Sequence, residues 1–211
     1  MSLDGPSKHW TVTVDGKIVT PRHIEISSRW GTLAWGAKLE TGREKRCEGW
    51  SFAEAGGGGA VTIPYVLHNG TTLVGMILED RPNLGSKAAW CAIGGFIDPG
   101  ESHREAQARE AAEEAGVDTE KARELAGLPA TQDRLYYVSD IEKGEGLHTY
   151  ALEMSMDALE ADGDHWRLKE GAGAGFKAPA LVGFFPWRTT VQMSPDVCLR
   201  SGVALLLAEL L

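Results

Sequence analysis

The sequence is poor in cysteine and has no long apolar run. Its 211 residues include three cysteines, Cys47, Cys91 and Cys198, which lie far apart with no partner residue at ligand spacing. We therefore expect neither a disulfide framework nor a zinc site. No uncharged apolar stretch approaches the roughly 18 residues of a membrane span, and no basic segment followed by an apolar one opens the chain. These absences predict a soluble, unexported, cytoplasmic protein with no membrane partner.

Basic residues are also fewer than acidic ones. Lysine and arginine number 21 against 30 aspartates and glutamates, so the formal net charge is -9. Polymeric nucleic acid is bound through basic side chains that neutralise phosphates, and we therefore expect no such partner. A small phosphorylated ligand stays compatible with this charge if a metal ion intervenes. The sequence also lacks a P-loop, a dinucleotide-binding fingerprint, a His-Glu-x-x-His motif and an EF-hand loop.

A run of four glycines at residues 56–59 divides the chain into two parts. Such a run is typical of a linker, so we predict a small N-terminal β element over residues 1–57 and a main domain over 58–211. In the first part, Asp15-Gly16 between two strand-like segments predicts a two-residue hairpin. Four of the seven tryptophans lie there, either as a core for this small unit or as a partner surface.

The rest of the chain alternates strands with helices. This alternation predicts an α/β or α+β fold, in which helices cover a sheet. Ser194 and Pro195 suit the N-cap and first position of a closing helix at 197–211. The other predicted elements are strands at residues 11–14, 17–19, 24–26, 32–39, 60–67, 71–78, 88–93, 135–139, 148–154 and 180–185, helices at 102–115 and 120–125, and a long loop at 157–177.

The segment 102–115 has clear helix signals at both ends. Ser102 with Glu105 three residues later forms a capping box, and Gly116 is placed to end the helix. One face of this helix carries small side chains that suit close packing against a sheet. The members of that face are Ala108, Ala111, Ala112 and Ala115.

Another face of the same helix carries three carboxylates, Glu110, Glu113 and Glu114. Like charges four residues apart, such as Glu110 and Glu114, destabilise a helix by about 0.2–0.5 kcal/mol when solvated and by more when desolvated. A bound divalent cation would remove this repulsion, and carboxylate oxygens favour Mg²⁺, Mn²⁺ or Ca²⁺ over zinc. The alternative is a solvated acidic face without a ligand, which is the usual state of such a surface.

The wider spacing of residues 95–117 decides between these alternatives. It reads Gly95, five residues, Glu101, seven residues, Arg109-Glu110, two residues, Glu113-Glu114, one residue, Gly116 and an aliphatic residue. This segment, which we call the box, resembles the signature of the Nudix hydrolase family. Two positions depart from the usual family pattern: Ala111 stands where a larger aliphatic residue is common, and Ile93 where proline is common.

The resemblance implies a fold and a reaction. The fold is an α/β/α sandwich with a mixed sheet, preceded here by the small N-terminal β element. The family cleaves a nucleoside diphosphate linked to another moiety, with Mg²⁺ or Mn²⁺ to neutralise the diphosphate and activate a water. Arg109 is implied to orient carboxylates, with Glu101 as its structural partner. The implied metal ligands are the carboxylates of Glu110, Glu113 and Glu114 and the carbonyl oxygen of Gly94.

The resemblance leaves open the base that takes the proton of the attacking water. In the family it is either a box glutamate, here Glu113 or Glu114, or an acid on a later loop, for which Glu142 and Glu145 are candidates. His103 projects on the glutamate face, but the family does not use that position as a metal ligand. We therefore expect His103 at the rim of the site.

Two looser features resemble the ADP-ribose pyrophosphatase branch of the family: the N-terminal β element and the paired strands that end in a basic residue before the box. This likeness implies ADP-ribose or a related nucleotide sugar as the substrate, and a homodimer whose sites use both subunits. Arg81 would then lie near the substrate phosphates or terminal ribose, and Trp166 or Trp187 would stack on the base. The alternative function is a Nudix-fold module that binds a nucleotide without hydrolysing it.

Overall fold

The computed structural model describes residues 58–81, 87–125, 146–169 and 181–211 in full, and five N-terminal strands as backbone. These five strands are β1 (Val12–Val14), β2 (Lys17–Val19), β3 (Ile24–Ser28), β4 (Gly31–Leu39) and β5 (Arg46–Glu54). In the antiparallel pair β1–β2, Val14 faces Lys17, which confirms the predicted two-residue hairpin. Strands β3, β4 and β5 form a second antiparallel sheet. The division of the chain at residue 57 stays a prediction.

Nine further strands form one mixed sheet. They are β6 (Gly58–His68), β7 (Thr71–Arg81), β8 (Lys87–Cys91), β9 (Ile93–Phe96), β10 (Arg123–Glu124), β11 (Gly146–Glu153), β12 (Leu159–Asp162), β13 (His165–Leu168) and β14 (Leu181–Pro186). Their order is β10-β11-β6-β7-β14-β13-β12, with β8 paired to β7 and β9 to β6. Strands β6 and β11 run parallel, and the other pairs in this sheet run antiparallel. Gly58 and Gly59 belong to β6, so half of the glycine run predicted as a linker is strand.

Strands β6 and β7 separate at one end, and β8 and β9 fill the gap between them. Near their connecting turn, β6 and β7 pair directly, from Tyr65 opposite Val74 to His68 opposite Thr71. Farther along, β7 pairs with β8 and β6 pairs with β9. The chain therefore changes its pairing partner at Ala92, which lies between β8 and β9.

Helices cover both faces of this sheet. The helices are α1 (His103–Glu110), continued by a π-helical turn (Ala111–Ala115), α2 (Trp187–Met193) and α3 (Val197–Leu210). Neighbouring strand residues point to opposite faces. Ile77 packs in one core cluster with Ala111 of the π turn, whereas Met76 packs in another with Leu199 of α3. The predicted α/β/α sandwich with a mixed sheet is confirmed.

The box helix, by which we mean α1 with its π turn, begins and ends as predicted. The Ser102 hydroxyl accepts from the Glu105 N–H at 3.2 Å, and the Glu105 carboxylate accepts from the Ser102 N–H at 2.8 Å. Gly116, with φ of 64°, ends the helix in the left-handed region. The buried alanines are Ala106, Ala111 and Ala115, whereas Ala108 is exposed. The predicted small face was wrong at Ala108, because the π turn has more residues per turn than an α-helix and shifts the packed face.

Two predictions near the sheet edges are wrong. Residues 120–125 are not a helix, since Arg123 and Glu124 form strand β10, paired with β11. Backbone pairing with the edge of β11 outweighs the helix propensity of this segment. The long loop predicted at 157–177 contains the hairpin β12–β13, which turns at Gly163 and Asp164.

The N-cap of the closing helix lies two residues later than predicted. Asp196 is the N-cap of α3, and its carboxylate accepts from the Cys198 N–H at 2.8 Å. Ser194 is instead the C-cap of α2, a helix that we did not predict.

The predicted strand at 135–139 lies outside the described residues. In the described ranges, no helix is long and apolar enough to cross a membrane.

Candidate active site

The two glycines of β9 let the box helix approach the strand backbone. Gly94 has a φ of 148°, a conformation that residues with side chains rarely adopt, and an added Cβ would collide with the Ala60 carbonyl oxygen. An added Cβ at Gly95 would collide with the carboxylate of Glu110. Glycine at 94 therefore lets β9 lie against the backbone of β6, and glycine at 95 leaves room for the Glu110 carboxylate.

Glu114 reaches the same strand from the π turn. Its Oε2 accepts from the Gly94 N–H at 2.8 Å. The pKa of the Glu114 carboxyl is raised to about 7, first by burial and then by the negative charges of Glu110 and Glu79. The Gly94 N–H and the positive charge of Arg81 act in the opposite direction. Glu114 is thus a half-buried acid in a place with surplus negative charge.

Arg109 connects three parts of the box. Its Nε and Nη2 donate to the two oxygens of Glu101, each at 3.0 Å, and its Nη1 donates to Glu110 Oε1 at 2.7 Å. A further bond runs from Nη2 to the Phe96 carbonyl oxygen at 3.0 Å. These hydrogen bonds raise the pKa of Arg109 above its ordinary value, and the bonds to Glu101 have the largest effect. The guanidinium therefore fixes the Glu110 carboxylate against β9.

Glu113 stands apart from this buried network. Its side chain is 64% exposed, and its Oε2 lies 3.6 Å from Nη1 of Arg109. The structure thus brings Glu110 and Glu114 to the Gly94–Gly95 backbone and leaves Glu113 facing outward. As they stand, no three carboxylate, imidazole or thiol groups in the fully described ranges are arranged to hold a metal ion.

Arg81 lies at the end of β7, where the sequence predicted a substrate contact. It forms an ion pair with Glu79, and its Nε donates to Cys91 Sγ at 3.2 Å. The side chain of Arg81 stays 39% exposed. Sequence reasoning missed Glu79, although its place two residues before Arg81 puts both side chains on one face of the strand.

Residues 59–169 match the family model described as NUDIX domain, which is more than half of the chain. This chain belongs to the Nudix hydrolase family. The family identifies it as an enzyme of the hydrolase class, and Nudix hydrolases generally use divalent metals. No curated protein sequence matches the chain.

Solved Nudix structures are similar to this chain at low sequence identity. The NUDIX domain of Shewanella oneidensis NrtR, complexed with ADP ribose, is 18% identical, with 72% of this chain and 87% of that chain covered and a TM-score of 0.47. An ADP compounds hydrolase is 15% identical, with 89% and 90% covered and a TM-score of 0.48. A C. elegans Ap4A hydrolase is 14% identical, with 72% and 97% covered and a TM-score of 0.45.

The donors of this Nudix box fit a hard divalent cation. Glu110 and Glu114 offer carboxylate oxygens beside one stretch of backbone, and oxygen is the ligand that Mg²⁺ and Mn²⁺ prefer. The pKa of Glu114 is raised first by burial and then by the charges of Glu110 and Glu79, and a cation would neutralise that negative charge. The ion pair with Arg109 already neutralises part of the charge of Glu110. The chemistry of the donor set therefore agrees with the metal dependence that is general in the family.

The structure does not bring the two predicted stacking tryptophans to this Nudix box. Trp166 of β13 pairs with Phe184 of β14, which in turn pairs with Gly75 of β7. Gly75 precedes Glu79 by four residues, which is about 13 Å along the strand. Trp166 contacts His68, with ring centroids 5.8 Å apart. Trp187 packs with the core cluster on the α3 face of the sheet, opposite to the box helix.

Other predicted residues of the site lie at its margin or outside the described ranges. His103 contacts His148 with the rings tilted by 34° and their centroids 3.6 Å apart, and His148 Nδ1 lies 2.6 Å from Glu124 Oε1. This contact places His103 at the β10–β11 edge of the sheet. The candidate bases Glu142 and Glu145 fall outside the described residues.

Proposed function

We propose that this protein is a metal-dependent pyrophosphohydrolase that cleaves a nucleoside diphosphate linked to another moiety. ADP-ribose or a related nucleotide sugar is the proposed substrate, with a nucleoside monophosphate and a sugar phosphate as products. The observation that carries the proposal is the meeting of Glu110 and Glu114 at the Gly94–Gly95 backbone, where the pKa of Glu114 is raised to about 7.

The proposed metal is Mg²⁺, with Mn²⁺ as a substitute, held by Glu110, Glu113, Glu114 and the carbonyl oxygen of Gly94. When bound, the metal supplies charge neutralisation of the diphosphate and a more acidic water. Arg109 keeps Glu110 in place through the pair with Glu101, and its side chain is fully engaged in doing so.

The remaining residues of the proposal bind the substrate and move a proton. Water adds to one phosphorus, the bridging P–O bond breaks, and the oxygen of that bond leaves on the second phosphate. A carboxylate takes the proton of the water, and the candidates are Glu113, Glu114, Glu142 and Glu145. Arg81 is the proposed ligand of a substrate phosphate, which its partly exposed guanidinium beside Glu79 supports. The tryptophans 166 and 187 stay predictions, as does the homodimer.

The experiment that tests the proposal is product analysis with a panel of nucleoside diphosphate compounds led by ADP-ribose, with and without Mg²⁺. Glu114→Gln removes one charge from the pair formed by Glu110 and Glu114. It should lower turnover by several orders of magnitude, equivalent to several kcal/mol of transition-state stabilisation. Glu120→Gln, at an exposed glutamate after the box, is the matched control and should keep full activity.

The outcomes separate the two functions that the sequence left open. AMP and ribose 5-phosphate that form only with metal and intact Glu114 would support the proposed reaction and substrate class. Cleavage of another member of the panel would keep the reaction and change the substrate. Tight nucleotide binding with no cleavage by the wild type would favour the non-catalytic module instead.

A further inference from the structure

The linker between α2 and α3 holds the backbone on both sides of Cys91. The buried Ser194 hydroxyl donates to the Trp90 carbonyl oxygen at 2.7 Å. The Asp196 carboxylate accepts from the Ala92 N–H through Oδ2 at 2.9 Å. We call this pair of side chains, Ser194 and Asp196, the clamp.

The two side chains of the clamp also organise each other. The Asp196 N–H donates to Ser194 Oγ at 3.1 Å, and the second carboxylate oxygen, Oδ1, accepts from the Cys198 N–H at 2.8 Å. The Ser194 N–H donates to the Thr190 carbonyl oxygen at 3.1 Å, which anchors the clamp to the end of α2. Each member therefore has partners in the helices as well as in the sheet.

The clamp acts at the point where the chain changes its pairing partner. Cys91 is the last residue of β8, paired with β7, and Ile93 is the first residue of β9, paired with β6. Ala92 belongs to neither strand and is 4% exposed. A buried N–H requires a partner, and the Asp196 carboxylate supplies it here.

The clamped backbone carries the hydrogen-bond partners of two residues of the proposed active site, Arg81 and Glu114. Cys91 Sγ accepts from Arg81 Nε at 3.2 Å, and the Gly94 N–H donates to Glu114 Oε2 at 2.8 Å. Any shift of this short stretch would move the partners of both Arg81 and Glu114. Residues 194–196 lie beyond the part of the chain, 59–169, that matches the family model.

We propose that Ser194 and Asp196 are positioning residues, which hold the backbone from Trp90 to Gly94 so that Arg81 and Glu114 keep their places in the active site. Neither side chain touches the substrate. The proposal rests on the proposed function for its effect on turnover, but the clamp itself can be measured without turnover. Burial lowers the pKa of Arg81, but the hydrogen bond to Cys91 and then the charges of Cys91, Glu79 and Asp196 raise it above its ordinary value.

The test compares four variants with the wild type. Ser194→Ala removes the bond to Trp90, and Asp196→Ala removes both bonds from the carboxylate. Asp196→Asn keeps one acceptor oxygen and serves as the conservative variant. Val203→Ala opens the buried face of α3 without touching the clamp, so it controls for a general loss of stability.

The first readout is steady-state kinetics at a temperature where every variant is folded. Ser194→Ala and Asp196→Ala are expected to lower kcat/KM for the cleaved substrate by tenfold or more, on the order of the effect of a small misplacement at a reacting centre. The loss should include a higher KM and weaker Mg²⁺ binding, because Arg81 and Glu114 are both displaced. Asp196→Asn should recover part of the loss. If both alanine variants stay within about twofold of Val203→Ala, the proposal is overturned.

The second readout is amide hydrogen exchange without metal or substrate. Faster exchange in the peptides covering residues 91–97, besides that at the start of α3, is expected for Ser194→Ala and Asp196→Ala, but not for Val203→Ala. Unchanged exchange in these peptides would overturn the proposal. If the wild type cleaves no compound, the proposed function fails, and the clamp is then judged by exchange and by the Mg²⁺ dissociation constant alone.

Discussion

Arg109 and Glu101 face each other across two parallel hydrogen bonds, Nε to Oε1 and Nη2 to Oε2, each 3.0 Å long. The same guanidinium donates to Glu110 at 2.7 Å through its remaining nitrogen. One planar group therefore links the loop before the box helix to the proposed metal ligand within it. A lysine has a single ammonium and cannot reproduce this geometry.

Arg109→Lys should lower kcat/KM by about tenfold to 100-fold, because hydrogen bonds between charged groups contribute about 1.5–3 kcal/mol each and Glu110 would lose its fixed partner. The measurement is steady-state kinetics at saturating Mg²⁺. Arg123→Lys is the matched control, since Arg123 forms an ion pair with Glu209 and has no contact with the box glutamates among the described ion pairs. Equal activity of both variants would contradict the role given to Arg109.

The box and its helix could be predicted in detail because their signals are local. The capping box, the terminating glycine and the spacing of the glutamates all lie within one segment, and each acts over three to five residues. The meeting of Glu114 with Gly94 is different in kind. It depends on β9 lying beside the box helix, which no local pattern encodes, and only the family resemblance implied it by naming Gly94 and Glu114 as ligands of one metal.

The errors in the predicted fold have the same origin. Arg123 and Glu124 have good helix propensity, but the edge of β11 recruits them as strand β10. Ser194 has the right residue type for an N-cap, yet its hydroxyl bonds to Trp90, about a hundred residues away in sequence. The hairpin at Gly163 did carry a local signal, the glycine in a two-residue turn, which we did not use.

Gly95→Ala should lower both stability and activity. The added methyl group would push the Glu110 carboxylate out of its place beside Arg109, at a modest cost in stability because this carboxylate is the end of a flexible side chain. Gly70→Ala is the control, because an added Cβ there has no atom within 4 Å, although the positive φ of Gly70, which Gly95 lacks, also costs stability. We expect both variants to melt at lower temperature, and only Gly95→Ala to lose turnover at a temperature where both are folded. Full turnover of Gly95→Ala would show that the position of Glu110 is not critical.

Mg²⁺ should stabilise the folded protein. A ligand at 100 times its dissociation constant contributes about 2.7 kcal/mol to the free energy of unfolding, which corresponds to a rise in Tm of about 5–10 °C for a chain of this size. The rise should disappear with a chelator and be much smaller in Glu114→Gln, but not in Glu120→Gln. Thermal melts monitored by circular dichroism would measure it. A Tm that does not respond to Mg²⁺ or Mn²⁺ would favour an acidic helix face without a ligand.

The ion pair between Arg109 and Glu101 should make stability depend on pH in a defined direction. Hydrogen bonds from Arg109 hold the pKa of the Glu101 carboxyl below its ordinary value in the folded state. A carboxyl with a lowered folded pKa stabilises the protein above its unfolded pKa of about 4.3, and this contribution is lost as the pH falls through the folded pKa. Glu101→Gln should therefore melt at lower temperature than the wild type at pH 7, and the difference should shrink below about pH 4. Melting curves of both proteins from pH 3 to pH 8, run without metal, would measure the difference, and a constant gap across this range would contradict the assignment.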